Sequence, residues 1–313
     1  MLAKKLTSIW LAGLLLSFST GVVAMEKAPP QVKMVVTAAI VSDKGMPIYD
    51  QIADYLSKKL NWDMSVVSGL SYDESDEMLD SGVIQIGYVC GLPYVHKFAE
   101  GKYDLLAMPI MSMKKGRFAD AKGYEDVPGK YYSYTIVHKD SPINSWVDLK
   151  GKSYAFNETA SNSGYNMPRY KLVQLGAKSW EDYFSKVVVS GTHEESIRLV
   201  AQGIVDASSV DSLVLDYDRV LGDADALNVK IIEHLHLGGA GIPPVVISKK
   251  ADPSIREKMQ KALLSMHEDP EGRKLLDKAL VSHFVEPDDS NYDDIRMMEA
   301  AAKKVGFRDF EDE

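Results

Sequence analysis

Cysteine is nearly absent from this 313-residue chain, which contains only Cys90. A single thiol excludes a disulfide framework, and there is no C-x-x-C pair for a zinc ribbon or a redox site. Beyond the first five residues no more than two basic residues occur in succession, and the net charge is −9; this excludes binding along a nucleic-acid backbone. The G-x-G-x-x-G, P-loop and G-x-S-x-G motifs do not occur, so the sites that those motifs build are excluded as well.

The longest hydrophobic run is confined to the N-terminus. Lys4 and Lys5 precede the apolar run 9–16, and Val22 and Ala24 occupy the −3 and −1 positions of a cleavage site. This pattern predicts a secretory signal peptide over residues 1–24, because the run is shorter than the roughly 20 apolar residues that span a bilayer. Without the two lysines, 34 basic and 45 acidic residues leave a net charge of −11. We expect a soluble protein that is exported to the periplasm and cleaved after Ala24.

The remaining chain has the composition of a globular protein, with 45% hydrophobic and 26% charged residues. A buried strand over 33–40 and a helix from Pro47 open a series of alternating strands and helices, which a polar loop over 113–130 interrupts once. This alternation predicts an α/β fold with parallel sheets flanked by helices, and the length predicts two lobes. We expect 25–136 and 236–313 to form lobe 1 and 137–235 to form lobe 2, with a ligand between them.

A polar segment follows the strand 154–156 and precedes a helical pattern. It contains Ser161, Asn162 and Ser163 directly before Gly164. Hydroxyl groups and unpaired backbone N–H groups at a helix start favour a bound anion, so this segment predicts an anion site. Pro168 lies too far along for a helix that starts at Ser161, which predicts a later start or a kink.

Two further polar side chains stand at predicted strand ends. His193 lies in a strand-to-helix turn, where Thr192 and Glu195 fit a capping box, and its side chain can face the cleft. Asp211 ends another strand, where it either accepts a hydrogen from a ligand or caps the next helix. His234 and His236 alternate without a third ligand, so we expect no metal and no cofactor. Cys90 ends an apolar strand and is interpreted as a small buried hydrophobe.

In their order and spacing, several motifs resemble those of the periplasmic substrate-binding components of phosphate, phosphite and phosphonate ABC transporters. The resemblance covers about residues 31–306. It rests on Gly82-Val-Ile-Gln-Ile-Gly-Tyr-Val-Cys-Gly91, Tyr154-Ala-Phe-Asn157, Ser161-Asn-Ser-Gly-Tyr165, Pro168-Arg-Tyr170, Gly191-Thr-His193, and Val210-Asp-Ser212 with Leu215-Asp216.

The resemblance implies a two-lobed flytrap fold in which each lobe is a mixed, mainly parallel sheet flanked by helices. It implies that Ser161, Asn162 and Ser163 hold the oxygens of a small phosphorus oxyanion, with Tyr72, Tyr88, His193 and Asp211 around them. The implied role is that of a monomeric, non-enzymatic receptor that delivers its ligand to ABC permease subunits in the inner membrane. Phosphonate, phosphite and phosphate remain alternatives, as do another small organic anion and a sensory role at a membrane kinase or chemoreceptor.

Overall fold

The computed structural model describes residues 28–37, 42–112 and 128–308. The predicted signal peptide and residues 113–127 of the predicted loop lie outside these ranges. Among the described residues, no helix combines the length and the apolar character needed to cross a membrane.

The described residues form strands and helices that alternate along much of the chain, as the sequence predicts. The strands are β1 (Gln31–Val36), β2 (Asp63–Val67), β3 (Ile86–Tyr88), β4 (Tyr103–Met111), β5 (Lys130–His138), β6 (Ser153–Phe156), β7 (Lys186–Val189), β8 (Ala207–Asp211), β9 (Val229–Gly241), β10 (Val245–Ser248) and β11 (Val281–Val285). The α-helices are α1 (Met46–Leu60), α2 (Tyr72–Ser81), α3 (Gly91–Ala99), α4 (Met167–Gln174), α5 (His193–Ala201), α6 (Ser212–Val220), α7 (Pro253–Leu264), α8 (Pro270–Lys278) and α9 (Asp293–Lys304).

Local sequence explains where the first helices begin and end. Pro47 occupies the first turn of α1, where its missing N–H has no helical partner to lose. At the start of α2, the Ser71 side chain accepts from the backbone N–H of Glu74, and the Glu74 side chain accepts from the backbone N–H of Ser71. Gly82 ends α2 with a φ of +79°, a conformation that glycine adopts without strain.

The strands form two separate sheets. The first has the order β11-β4-β10-β3-β1-β2 and the second has the order β7-β6-β8-β5-β9. The pairs β1–β2, β1–β3, β6–β7 and β6–β8 are parallel, whereas β10, β11 and β5 run antiparallel to their neighbours. This confirms the predicted α/β class, with two mixed sheets flanked by helices.

The sheets place the lobe boundaries differently from the sequence prediction. The predicted divisions at 136/137 and 235/236 fall inside β5 and β9, which pair with each other in the second sheet. The chain therefore passes between the sheets after β4 and after β9. The first sheet with its flanking helices forms the first lobe, and the second sheet with its flanking helices forms the second lobe. Because the hydrogen-bonded ladder of β5 runs along its whole length, a boundary within that strand would break the sheet.

The last helix, α9, belongs to neither sheet alone. On the second lobe, the Ile295 carbonyl of α9 accepts from the Asn166 side chain at 3.3 Å. The Phe307 ring, which follows α9, contacts the Trp180 ring of the same lobe with a centroid distance of 5.4 Å. On the first lobe, Glu299 pairs with His96 of α3 at 2.9 Å. The C-terminal segment therefore packs on both lobes.

Candidate ligand site between the lobes

The predicted anion segment forms a wide helical turn. Residues Asn162–Asn166 adopt a π-turn in which the Asn166 N–H donates to the Ser161 carbonyl over 3.0 Å. The Ser161 hydroxyl caps this turn by accepting from the Gly164 N–H at 3.0 Å. The α-helix α4 begins only at Met167, with Pro168 in its first turn. The structure thus confirms that the α-helix starts later than Ser161. In the first turn of α4, Pro168 loses no helical hydrogen bond.

Gly164 lets this turn approach a neighbouring strand end. A Cβ atom at Gly164 would lie 1.6 Å from the Oδ1 of Asn157, so a larger residue does not fit. The Asn157 side chain is held in place because its Nδ2 donates to the Thr192 carbonyl at 2.9 Å and to the Ser196 hydroxyl at 2.8 Å. Asn157 therefore connects the anion segment to the turn that carries His193.

Asp211 performs both roles that its sequence position allows. One carboxylate oxygen caps α6 by accepting from the Leu213 N–H at 2.8 Å, and the other accepts from the Ser163 hydroxyl at 3.3 Å. The side chain is fully buried, and this burial raises the pKa of Asp211 well above its usual range despite the two hydrogen bonds. The site therefore favours a carboxyl group that holds a proton.

His193 is the first residue of α5 and is buried beside Asp211. Burial lowers the pKa of His193 to about 3, so its ring is neutral. The Nδ1 atom accepts from the Asp211 N–H at 3.1 Å, which places the ring hydrogen on Nε2. Among the described residues, Nε2 has no hydrogen-bond partner. Because an unpaired buried donor is costly, this N–H is suited to a ligand oxygen.

The capping prediction for α5 holds in part. The Thr192 hydroxyl accepts from the Glu195 N–H at 3.0 Å. The Glu195 carboxylate binds the guanidinium of Arg198 at 2.6 Å instead of closing a capping box, because the charged partner one turn away makes the stronger hydrogen bond.

Tyr72 and Cys90 of the first lobe lie against the anion segment of the second. The Asn162 N–H donates to the Cys90 Sγ at 3.3 Å, and the Tyr72 N–H donates to the Glu158 carboxylate at 3.1 Å. The side chains of Tyr72 and Cys90 are both buried and form a small apolar cluster with Ala160. Burial raises the pKa of the Cys90 thiol to about 12, so the thiolate needed for nucleophilic chemistry is disfavoured.

Tyr88 is the one predicted site residue that the structure does not bring to this group. Its ring packs edge-on against Tyr49 at 5.4 Å and Phe284 at 6.4 Å, in the core of the first lobe with Ile86. Successive residues of a strand face opposite sides, so Ile86 and Tyr88 share one face of β3. This corrects the expectation that Tyr88 faces the ligand.

Two residues of β5 join the site without having been predicted. The Tyr131 hydroxyl accepts from the Asn162 side-chain amide at 2.9 Å, and the Ser133 hydroxyl donates to the Ser163 carbonyl at 2.6 Å. In the sequence these residues resemble an ordinary core strand, and only the pairing of Ser133 with Asp211 reveals their position. The only signal in the sequence is that Tyr131 and Ser133 are two positions apart, because alternate residues of a strand lie on the same face of the sheet.

Further contacts join the lobes beside the buried site. The Ser42 hydroxyl donates to Asp218 at 2.5 Å, and the Lys44 ammonium lies 2.5 Å from Asp223 and 3.3 Å from Glu194. Burial raises the pKa of Asp218 to about 6. These contacts, with those of Tyr72 and Cys90, hold the lobes in a closed arrangement over the site. No cluster of three potential metal ligands occurs within the described residues.

Comparison with known proteins agrees with this arrangement. The family model described as "ABC transporter, phosphonate, periplasmic substrate-binding protein" matches residues 34–292. The chain belongs to this family. The family is one of periplasmic substrate-binding proteins rather than of enzymes.

Two curated relatives are similar over part of their length. The probable ABC transporter phosphite-binding protein of Prochlorococcus marinus is 27% identical over 177 residues, which cover 53% of this chain and 57% of that protein. The phosphonates-binding periplasmic protein of Escherichia coli is 29% identical over 163 residues, which cover 50% of this chain and 46% of that protein. The chain therefore matches about half the length of these relatives.

Solved structures share the fold over most of the chain. A binding protein component of a phosphonate ABC transporter from Pseudomonas aeruginosa superimposes with a TM-score of 0.75 at 18% identity, covering 88% of each chain. A Prochlorococcus marinus protein in complex with methylphosphonate superimposes with a TM-score of 0.73 at 17% identity, covering 88% of this chain and 99% of that one. At these identities the likeness concerns the fold.

Proposed function

We propose that this protein is an exported receptor that captures a small phosphorus oxyanion between its lobes and delivers it to an ABC permease in the inner membrane. The observation that carries the proposal is the buried His193 Nε2–H, which has no partner among the described residues and lies beside the Ser163–Asp211 pair. A phosphite, phosphonate or phosphate oxygen at this position would supply the missing acceptor.

The proposed ligand residues are Tyr72, Ser161, Asn162, Ser163, His193 and Asp211, and we add Tyr131 because its hydroxyl accepts from the Asn162 amide. The hydroxyl groups and the neutral imidazole donate to oxygens without bringing a positive charge, as neutral anion sites do. Asp211 shares one hydrogen with the ligand. Either a protonated ligand oxygen donates to the carboxylate, or the carboxyl group donates to an ionised oxygen.

A shared hydrogen would distinguish phosphorus oxyanions from sulfate. Phosphite, phosphonate and phosphate lose their second proton near neutral pH and can supply the shared hydrogen themselves, whereas sulfate carries none and can pair only with the protonated form of Asp211. Sulfate would therefore bind only to the protein in which Asp211 holds its proton. Its affinity is therefore expected to fall as the pH rises, more steeply than that of phosphite.

The test is a binding experiment on purified protein starting at Met25. Calorimetry and thermal unfolding are measured with methylphosphonate, phosphite, phosphate and sulfate, and a ligand at 100 times its dissociation constant should stabilise by about 2.7 kcal/mol. Binding of none of the three phosphorus compounds would contradict the proposal, and turnover of a bound compound would replace a receptor by an enzyme.

The export part of the proposal has its own test. Mass spectrometry of the protein recovered from the periplasm is expected to show an N-terminus at Met25 and a monomer by native mass. An intact Met1 in that fraction would contradict cleavage after Ala24.

A further inference from the structure

A chain of buried hydrogen bonds leads from Arg169 to the proposed site. The Arg169 Nη2 donates to the Asn166 Oδ1 at 3.0 Å, the Asn166 Nδ2 donates to the Asn162 Oδ1 at 3.0 Å, and the Asn162 Nδ2 donates to the Tyr131 hydroxyl at 2.9 Å. All four side chains are buried, with exposed fractions between 0% and 6%. Of these four residues, only Asn162 was predicted from the sequence as a ligand residue.

The direction of this chain is fixed at its beginning. A guanidinium has only donors, so the atom of Asn166 that faces Arg169 must be the oxygen. The Asn166 nitrogen also faces the Ile295 carbonyl at 3.3 Å, which only accepts. These two partners independently set the orientation of the Asn166 amide, whose oxygen and nitrogen are otherwise interchangeable.

The fixed direction propagates to Tyr131. Because Asn166 presents its nitrogen, Asn162 must present its oxygen to Asn166 and its nitrogen to the Tyr131 hydroxyl. The hydroxyl oxygen accepts that hydrogen bond, so its own hydrogen has to point elsewhere. Cys90 and Asp211 interact electrostatically with Tyr131, and the Ser163 side chain lies within hydrogen-bonding reach of its hydroxyl, which places these groups around the phenol.

We infer that Asn166 and Arg169 are positioning residues that make the Tyr131 hydroxyl a hydrogen-bond donor toward the ligand. The inference rests on the proposed function, and it adds the means by which the direction of the Tyr131 hydroxyl group is set. An oxyanion only accepts hydrogen bonds where it carries no proton, so a phenol that points its hydrogen inward favours oxyanions over neutral ligands.

The substitution Asn166→Asp is expected to reverse the direction of the hydrogen bonds between residue 166 and Tyr131 with little change in side-chain size. An aspartate oxygen toward Asn162 would turn the Asn162 amide, whose oxygen would then face Tyr131. Tyr131 would donate to Asn162 and be lost as a donor to the ligand. The added charge stays paired with Arg169. We expect binding of phosphite and methylphosphonate to weaken at least about tenfold, as in Tyr131→Phe.

The deciding measurement is the double variant. If Asn166 acts through Tyr131, Asn166→Asp combined with Tyr131→Phe should bind within about twofold of Tyr131→Phe alone. Asn228→Asp and Tyr154→Phe are the matched controls: the Asn228 amide donates to the Ala201 carbonyl and the Tyr154 hydroxyl to Ser209. Both should bind as the wild type does. If the fold-losses in affinity of the two single variants multiply in the double variant, the inference is overturned.

Neutron diffraction of the ligand-free, deuterium-exchanged wild type gives a second test that needs no ligand and no variant. The map is expected to show two deuterons on the Asn162 atom nearest Tyr131 and the phenol deuteron pointing away from Asn162. A phenol deuteron directed at Asn162 would overturn the inference even if the protein binds phosphite. If the map is as expected but the protein binds no phosphorus oxyanion, the proposed function alone is contradicted.

Discussion

Burial acts in opposite directions on the two titratable residues beside Ser163. It lowers the pKa of His193 to about 3 and raises the pKa of Asp211 well above its usual range. Both groups are thereby driven to their uncharged forms. This explains how a chain with a net charge of −9 can offer a site for an anion, because the side chains that surround it repel the ligand little.

Ser163→Ala tests the simplest of these contacts. The Ser163 hydroxyl faces Asp211 at 3.3 Å, and we expect it to donate to a ligand oxygen in the complex. Its removal should weaken phosphite binding by about 1–3 kcal/mol, as the loss of a hydrogen bond to a charged group does. Calorimetry provides the measurement. Ser208→Ala is the control, since that buried hydroxyl donates to the Ala155 carbonyl away from the cleft; equal losses in both variants would contradict the assignment.

Asp211→Asn separates ligand recognition from stability. Because the folded-state pKa is raised, the ligand-free wild type should lose stability as the pH rises from about 4 through that pKa. Asparagine can still cap α6 but does not titrate, so the stability advantage of the variant should grow with pH in urea unfolding. The variant should bind phosphite about tenfold more weakly and tolerate sulfate better. Asp206→Asn, at an exposed neighbouring position, is the control; parallel pH profiles for Asp211→Asn and the wild type would contradict the prediction.

At the scale of elements, the sequence predicts what depends on neighbours along the chain. Pro168 implied a late helix start or a kink, and the structure has a π-turn over Asn162–Asn166 before α4 begins at Met167. The side on which a strand residue lies is different, because it depends on the pairing and register of the sheet. Tyr88 was therefore expected in the site and lies in the core, whereas Tyr131 was not expected there and binds Asn162.

Gly164→Ala tests the close approach that holds the π-turn. The new methyl group would overlap the Asn157 Oδ1, which lies 1.6 Å from the Cβ position, so the turn must shift. We expect a loss of about 1–3 kcal/mol of stability together with weaker phosphite binding, measured by thermal unfolding and calorimetry.

The double variant Gly164→Ala with Asn157→Ala identifies the cause of that loss. Removing the Asn157 amide takes away the overlapping atom, so the two substitutions should cost less together than the sum of their separate effects. Additive losses would show that Gly164 is required for another reason.

At the scale of the whole molecule, the site exists only where the two lobes meet. The anion segment, His193 and Asp211 come from the second lobe, and Tyr72 and Cys90 come from the first. Within the described residues, the chain passes between the two sheets after β4 and after β9, and α9 packs on both lobes. Composition and length predicted two lobes, but the crossings could not be located from sequence because β5 and β9 have the same apolar character as the strands of the first sheet.

Lys44→Met tests whether contacts outside the site favour the closed arrangement. Lys44 of the first lobe contacts Asp223 and Glu194 of the second, so its loss should favour opening and weaken phosphite binding. Partly exposed ion pairs contribute about 0.2–1 kcal/mol, which corresponds to a loss of up to about fivefold, mainly through faster dissociation. Small-angle scattering of the ligand-free variant should show a larger radius of gyration.

Lys59→Met is the matched control for this prediction. Lys59 and Lys44 both have 48% of the side chain exposed, but Lys59 pairs with Asp269 within the first lobe. Its replacement removes a similar ion pair without affecting the contact between lobes, so phosphite dissociation should stay at the wild-type rate. High salt should reduce the difference in phosphite dissociation rate between the wild type and Lys44→Met, because salt screens the exposed Lys44 ion pairs that only the wild type has. Equal dissociation rates for the two variants at low salt would show that Lys44 does not stabilise closure.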